Sequence, residues 1–200
     1  MARDLRICFV GDSYVAGTGD PTALGWPGRI VAEAIASGLP VTAYNLGVRG
    51  ETGPEVARRI PAEIAPRLAP ADDPRLVVSF GANDTAERDG QVRVSIEQTI
   101  QALRDIRAAT NVPLLLVGPP SVDDPRQNER LKTTNELLAD EAGQLRVPFV
   151  DSFTATGASA LWSQQIREGD GYHPGAEGYA YLAATVALPI LDWLRTEPFR

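Results

Sequence analysis

The sequence predicts an α/β protein, a three-layer sandwich of helices on both faces of a mostly parallel sheet. Three observations predict it. Five short apolar runs rich in Val, Ile, Leu and Phe punctuate the chain, amphipathic segments of helical period separate most of them, and glycine and polar residues crowd the carboxyl ends of the runs. Two hundred residues, 44% hydrophobic and 22% charged, suit one domain spanning residues 1–200 with a sizeable core.

The elements follow in order. Arg6–Val10 is a β-like run that ends at Gly11, Asp12 and Ser13. Ile30, Val31, Ala34 and Ile35 then recur at helical spacing, with Pro27 in a tolerated early position and Gly38 as the stop. Val41–Asn45 is the second strand, followed by Gly47 and Gly50. Residues 54–69 have helical spacing, but Pro61 and Pro66 predict a disturbed helix. Residues 75–80 form the third strand and end at "GAND", Gly81 to Asp84. The stretch 91–110 predicts one long amphipathic helix, 112–118 the fourth strand, 127–145 a further helix and 147–151 the fifth strand. A last helix runs from Pro174 to Leu194, with Pro174 as its first residue. Ser152–Asp170 between them has no clear periodicity, and long connections in compact domains often carry function.

Charge and composition exclude several classes. The formal net charge is -7 and the arginines are dispersed among acids, which argues against a nucleic-acid or anionic-membrane surface. No apolar run approaches membrane-spanning length, so no membrane insertion is expected. The opening "MARDLR" is charged and lacks the apolar stretch of a secretory signal, which predicts a cytoplasmic protein. Cys8 is the only cysteine; within a strand pattern it reads as a small buried apolar residue rather than a reactive thiol. There is no GxSxG elbow, Walker A loop, GxGxxG turn or histidine pair for a metal.

In open parallel sheets ligands collect at the carboxyl ends of the strands. Four polar stretches fall there: Gly11–Ser13, Gly47–Gly50, Gly81–Asp84, and "DGYHP", Asp170–Pro174. His173 is the only histidine, so a serine nucleophile activated by an imidazole requires it. Asp170, three residues earlier, is placed to accept from its Nδ1 and hold the tautomer. Asn83 offers a side-chain amide, and Ser13 and Gly50 offer backbone N–H groups, where charge develops on a carbonyl oxygen. Each feature alone has a plain reading. Ser13 is as good a helix cap as a nucleophile, "GAND" serves as a turn, and the glycines after strand two serve left-handed backbone. Tyr14, Trp26 and Trp162 read as core before they read as pocket lining. Four independent stretches in one order on one edge shift the balance to catalysis.

In their order, "GDSY", "NLGVRGET", "GAND" and "DGYHP" resemble the blocks of the SGNH hydrolases, also called GDSL esterases and lipases, from Gly11 to Pro174. The resemblance implies Ser13 as nucleophile, His173 as base and Asp170 as its partner. It implies Ser13, Gly50 and Asn83 as the oxyanion hole, with Gly47 the alternative to Gly50. Tyr14 departs from the leucine common in the family. A flavodoxin-like sheet ordered 2-1-3-4-5 is implied, with no cofactor and a small-molecule ester as partner. The expected reaction is hydrolysis of small acyl esters, of carbohydrate acetyl, aryl or alkyl, or lysophospholipid type, through an acyl-serine. The competing readings are an acyltransferase to a sugar or alcohol, and a non-catalytic acyl- or carbohydrate-binding protein.

Overall fold

The computed structural model describes residues 3–196; Met1 and Ala2 of the charged opening stretch lie outside them. The chain runs β1 (Leu5–Gly11), α1 (Ser13–Ala16), α2 (Gly25–Ala36), β2 (Thr42–Gly47), α3 (Gly53–Leu68), β3 (Asp73–Ser79) and α4 (Ala82–Thr85). A small hairpin follows, β4 (Glu87–Arg88) and β5 (Gln91–Val92), then α5 (Ile96–Ala109), β6 (Leu114–Val117) and α6 (Pro125–Gln144). The remainder is β7 (Phe149–Val150), α7 (Phe153–Gly157), α8 (Ala160–Arg167) and α9 (Ala176–Arg195).

The main sheet is parallel, ordered β2-β1-β3-β6-β7, which is 2-1-3-4-5 when the hairpin is left out of the count. Alternation along each strand divides the apolar residues between two cores. Ile7, Phe9, Val77, Leu115 and Val117 face one side, under α2, α8 and α9. Cys8, Val10, Leu76, Val78, Leu114 and Leu116 face the other, under α3, α5 and α6. Cys8 is fully buried there, and burial pushes its thiol up to about 12. Trp26 and Trp162 are buried in the first core with Tyr14.

Three expectations need correction, and one connection without an expectation gains a structure. Residues 91–92 belong to the hairpin, and the helix expected from 91 starts at Ile96, because Ser95 caps it in a reciprocal box with Gln98. Pro61 and Pro66 do not break α3, which runs uninterrupted from Gly53 to Leu68. Both prolines lie on its exposed face, whereas Val56, Ile60, Ile64 and Leu68 are buried, so burial of one stripe outweighs two missing backbone bonds. Pro174 precedes rather than begins the last helix, which starts at Ala176, two residues beyond it; the Gly175 N–H is taken by Gln165 Oε1 at 3.0 Å. The connection 152–170 holds two short helices, α7 and α8, the latter capped by Ser159 and pinned by buried Trp162 and Ile166.

Candidate active site

At the end of β1 the backbone turns sharply into α1. Asp12 caps that helix, its Oδ1 accepting the Tyr14 N–H at 2.9 Å, so the capping role falls to Asp12 and the Ser13 hydroxyl is free of it. Ser13 Oγ lies 2.8 Å from His173 Nε2, and His173 Nδ1 lies 2.7 Å from Asp170 Oδ2. An ionised carboxylate only accepts, so Nδ1 carries the proton and Nε2 is left to accept from the serine hydroxyl. Asp170 Oδ1 also accepts the backbone N–H groups of Tyr172, at 3.0 Å, and His173, at 2.8 Å. Partial burial alone would raise the Asp170 carboxyl, but these N–H groups and the imidazole outweigh it and hold it at about 2. It is therefore ionised wherever the imidazole is neutral.

The histidine loop is pinned from below. Tyr14 packs its ring 5.4 Å from the imidazole and donates its hydroxyl to the Tyr172 carbonyl at 2.9 Å. Tyr172 donates in turn to Gln127 Oε1 at 2.9 Å, and Gln127 Nε2 donates to the Ala82 carbonyl at 2.8 Å. One network thus joins the serine, histidine and asparagine segments.

Asn83 stands across the cleft from this pair. Its Nδ2 donates to the Glu51 carbonyl at 3.0 Å and to Asp12 Oδ2 at 3.3 Å. Asp12 is enclosed, and burial pushes its carboxyl up to about 7, against the pull of the Tyr14 N–H and Asn83; the charge of Asp84 adds to the rise. Asp84 is itself fully buried and accepts the Gly53 N–H on both oxygens, at 2.9 and 3.1 Å, and the Thr99 hydroxyl at 2.9 Å. Burial raises its carboxyl too, although Gly53 and Thr99 oppose the rise. That carboxylate ties the loop after β2 to the asparagine segment.

The two glycines after β2 differ physically. A Cβ on Gly47 would sit 2.1 Å from the Ala16 nitrogen, so glycine there lets β2 approach α1; its N–H is already given to Asn45 Oδ1 at 3.0 Å. Gly50 has φ of 78° and open space around it, and among the described residues its N–H has no acceptor. Gly50, Ser13, Asn83 and His173 line one cleft of about 300 Å³, together with Tyr14, Arg49, Ala82, Ala86 and Tyr172. Gly47 does not reach it.

Sequence reasoning assigned no task to Asp12 or Asp84, and it passed over Arg49 and Tyr172. The two acids carried a usable signal: a carboxylate next to a buried strand end must find donors, and a loop of the same site is the nearest supply.

A serine hydroxyl bonded to an imidazole that is itself held by a carboxylate, at the carboxyl edge of a parallel sheet, defines a serine ester hydrolase. The chain belongs to the GDSL-like lipase/acylhydrolase family, whose sequence pattern matches residues 9–181. It is 27% identical over 178 residues to the esterase TesA of Pseudomonas aeruginosa, covering 87% of this chain and 82% of that protein. It is 28% identical over 191 residues to the thioesterase 1/protease 1/lysophospholipase L1 of Escherichia coli, covering 94% and 80%. Among solved structures, a lipase/acylhydrolase from Enterococcus faecalis superposes with a TM-score of 0.79 at 23% identity, over 98% of this chain and all of that one. An acetyl xylan esterase from Geobacillus stearothermophilus superposes at 0.76 with 20% identity over the whole of both chains.

Proposed function

We propose that this protein hydrolyses small acyl esters through an acyl-serine, with Ser13 as nucleophile, His173 as general base and Asp170 orienting the imidazole. The observation that carries the reading is the unbroken Ser13–His173–Asp170 hydrogen-bond chain at 2.8 and 2.7 Å. Ser13 Oγ attacks the ester carbonyl while its proton passes to His173 Nε2, and the imidazolium then protonates the leaving alcohol. Water, deprotonated by the same imidazole, attacks the acyl-serine and releases the acid. Charge on the carbonyl oxygen is met by the Ser13 and Gly50 N–H groups and by Asn83 Nδ2, which exchanges the neutral Glu51 carbonyl for the charged, stronger acceptor. The small volume of the cleft supports a short acyl or alcohol group, and the range of relatives, from thioesterase to acetyl xylan esterase, supports ester and thioester chemistry in general.

The test is hydrolysis of 4-nitrophenyl esters from acetyl to long acyl by the wild type and by Ser13→Ala. The wild type turns over the short members, and the variant loses four or more powers of ten in kcat, as expected for a missing nucleophile, ~10⁴ or more. Near-full activity in Ser13→Ala overturns the scheme. Acylated alcohol accumulating in place of free acid identifies a transferase.

A further inference from the structure

The cleft contains one permanently charged side chain, Arg49, and among the described residues nothing pairs with it. Val48 to Glu51 form a four-residue turn closed by the Glu51 N–H on the Val48 carbonyl at 3.4 Å, with Gly50 in the left-handed third position. The turn is held from three sides. The Val48 N–H donates to the Gly11 carbonyl at 2.9 Å, Arg93 Nη2 donates to the Gly50 carbonyl at 2.9 Å, and Arg59 Nε binds Glu51 at 2.6 Å. Arg49 occupies the outer corner of this braced turn, exposed, and lines the cleft beside Ser13 and His173.

Its neighbours leave it without a counter-ion. Glu51 is taken by Arg59 and Glu55 lies 3.9 Å from Arg93, while Asp170 is engaged by His173 and Asp12 is enclosed behind Asn83. Among the described residues Arg49 forms no ion pair and no hydrogen bond, in a chain whose formal charge is -7. Arg58, Arg88, Arg107, Arg126 and Arg146 also lack an ion pair among the described residues, but Arg49 alone of these lines the cleft with Ser13 and His173, and that position makes substrate charge its complement.

We propose that Arg49 selects esters bearing an anionic group, a carboxylate or phosphate on the acyl or the alcohol part, by pairing its planar fork with that group. The inference rests on the ester-hydrolase reading above. The partner is a charged small ester rather than a neutral lipid or a neutral sugar acetate.

Two matched pairs test it. Mono-4-nitrophenyl succinate and its methyl ester differ only by a carboxylate on the acyl side; 4-acetoxybenzoate and its methyl ester differ only by one on the leaving group. The quantity read is the anion-to-neutral ratio of kcat/KM within each pair. The expected result is a ratio about tenfold lower in Arg49→Gln than in wild type for at least one pair, with Arg49→Lys recovering only part of it, because the charge is kept and the fork is lost. The wild-type ratio also falls as sodium chloride is raised, and that of Arg49→Gln does so less. The pair that responds identifies the side of the ester that carries the charge. Equal ratios in wild type and Arg49→Gln for both pairs overturn the inference and leave the ester hydrolase standing. A wild type that cleaves none of the four esters overturns both.

Discussion

Asp12 and Ser13 are adjacent residues with opposite demands on water. The serine hydroxyl must reach the cleft; the carboxylate beside it is enclosed and raised to about 7 by burial. Because the folded state favours the neutral form of Asp12, its contribution to stability is complete below the ordinary carboxylate value and is lost as pH rises through about 7. Asp12→Asn removes that ionisation. The stability of the variant relative to wild type, read from urea midpoints, therefore rises between pH 5 and pH 8 by on the order of 2 kcal/mol. A pH-independent difference would mean that Asp12 is ionised throughout. Asp170 has the reverse sign: held at about 2, it contributes above the ordinary carboxylate value and loses that contribution toward strong acid, and its exposure keeps the effect small. Asn83→Ala lowers kcat by roughly two to three powers of ten through the loss of one oxyanion donor, with a smaller change in KM. Steady-state kinetics on a 4-nitrophenyl ester check this, and a wild-type kcat would remove Asn83 from the oxyanion hole.

At the scale of elements, α3 shows how position overrides propensity. Pro61 and Pro66 are poor interior helix residues, and propensity alone predicts a disturbed helix. What decides the outcome is that both sit on the outer face while Ile60, Ile64 and Leu68 seal the sheet on the inner one. The helix bears the cost instead of relieving it. Pro61→Ala restores an N–H to the fourth-preceding carbonyl; with the gain partly offset by a freer unfolded chain, it stabilises by about 1–2 kcal/mol. The urea midpoint rises. A fall would show that the ring packs against something that outweighs the missing bond. The hairpin after α4 is a second case. Val92 and Val94 continue the apolar spacing of α5, so period alone extends the helix too far, and only the Ser95–Gln98 capping box marks the true start.

Across the whole molecule, one sheet serves two cores. Trp26 and Trp162 lie in the core under α2, α8 and α9, and Trp193 packs against it, so fluorescence reports that side alone. Leu76 lies in the other core. Because β1 and β3 contribute side chains to both, Leu76→Ala is expected to shift the tryptophan transition and the far-ultraviolet dichroism transition together, by about 2–5 kcal/mol. Two separated transitions would instead reveal two folding units. No helix among the described residues is long and apolar enough to cross a membrane.

The sequence by itself determined the strand order of chemistry. Short continuous apolar runs separated by segments of helical period, with Gly11, Gly47, Gly81 and the Asp170–His173 pair placed after them, identify a mostly parallel sheet and the edge where its polar residues gather, because run length, period and turn residues are local properties. Only the tertiary structure decided which of two plausible groups does each task. Asp12 rather than Ser13 caps α1, the Gly50 N–H rather than that of Gly47 is left open to the cleft, and Arg49 is the guanidinium that lines the cleft, without a counter-ion among the described residues. These outcomes depend on which donors are already spent and on which backbones approach within van der Waals distance. Those facts arise between segments far apart in the chain, where no local pattern records them.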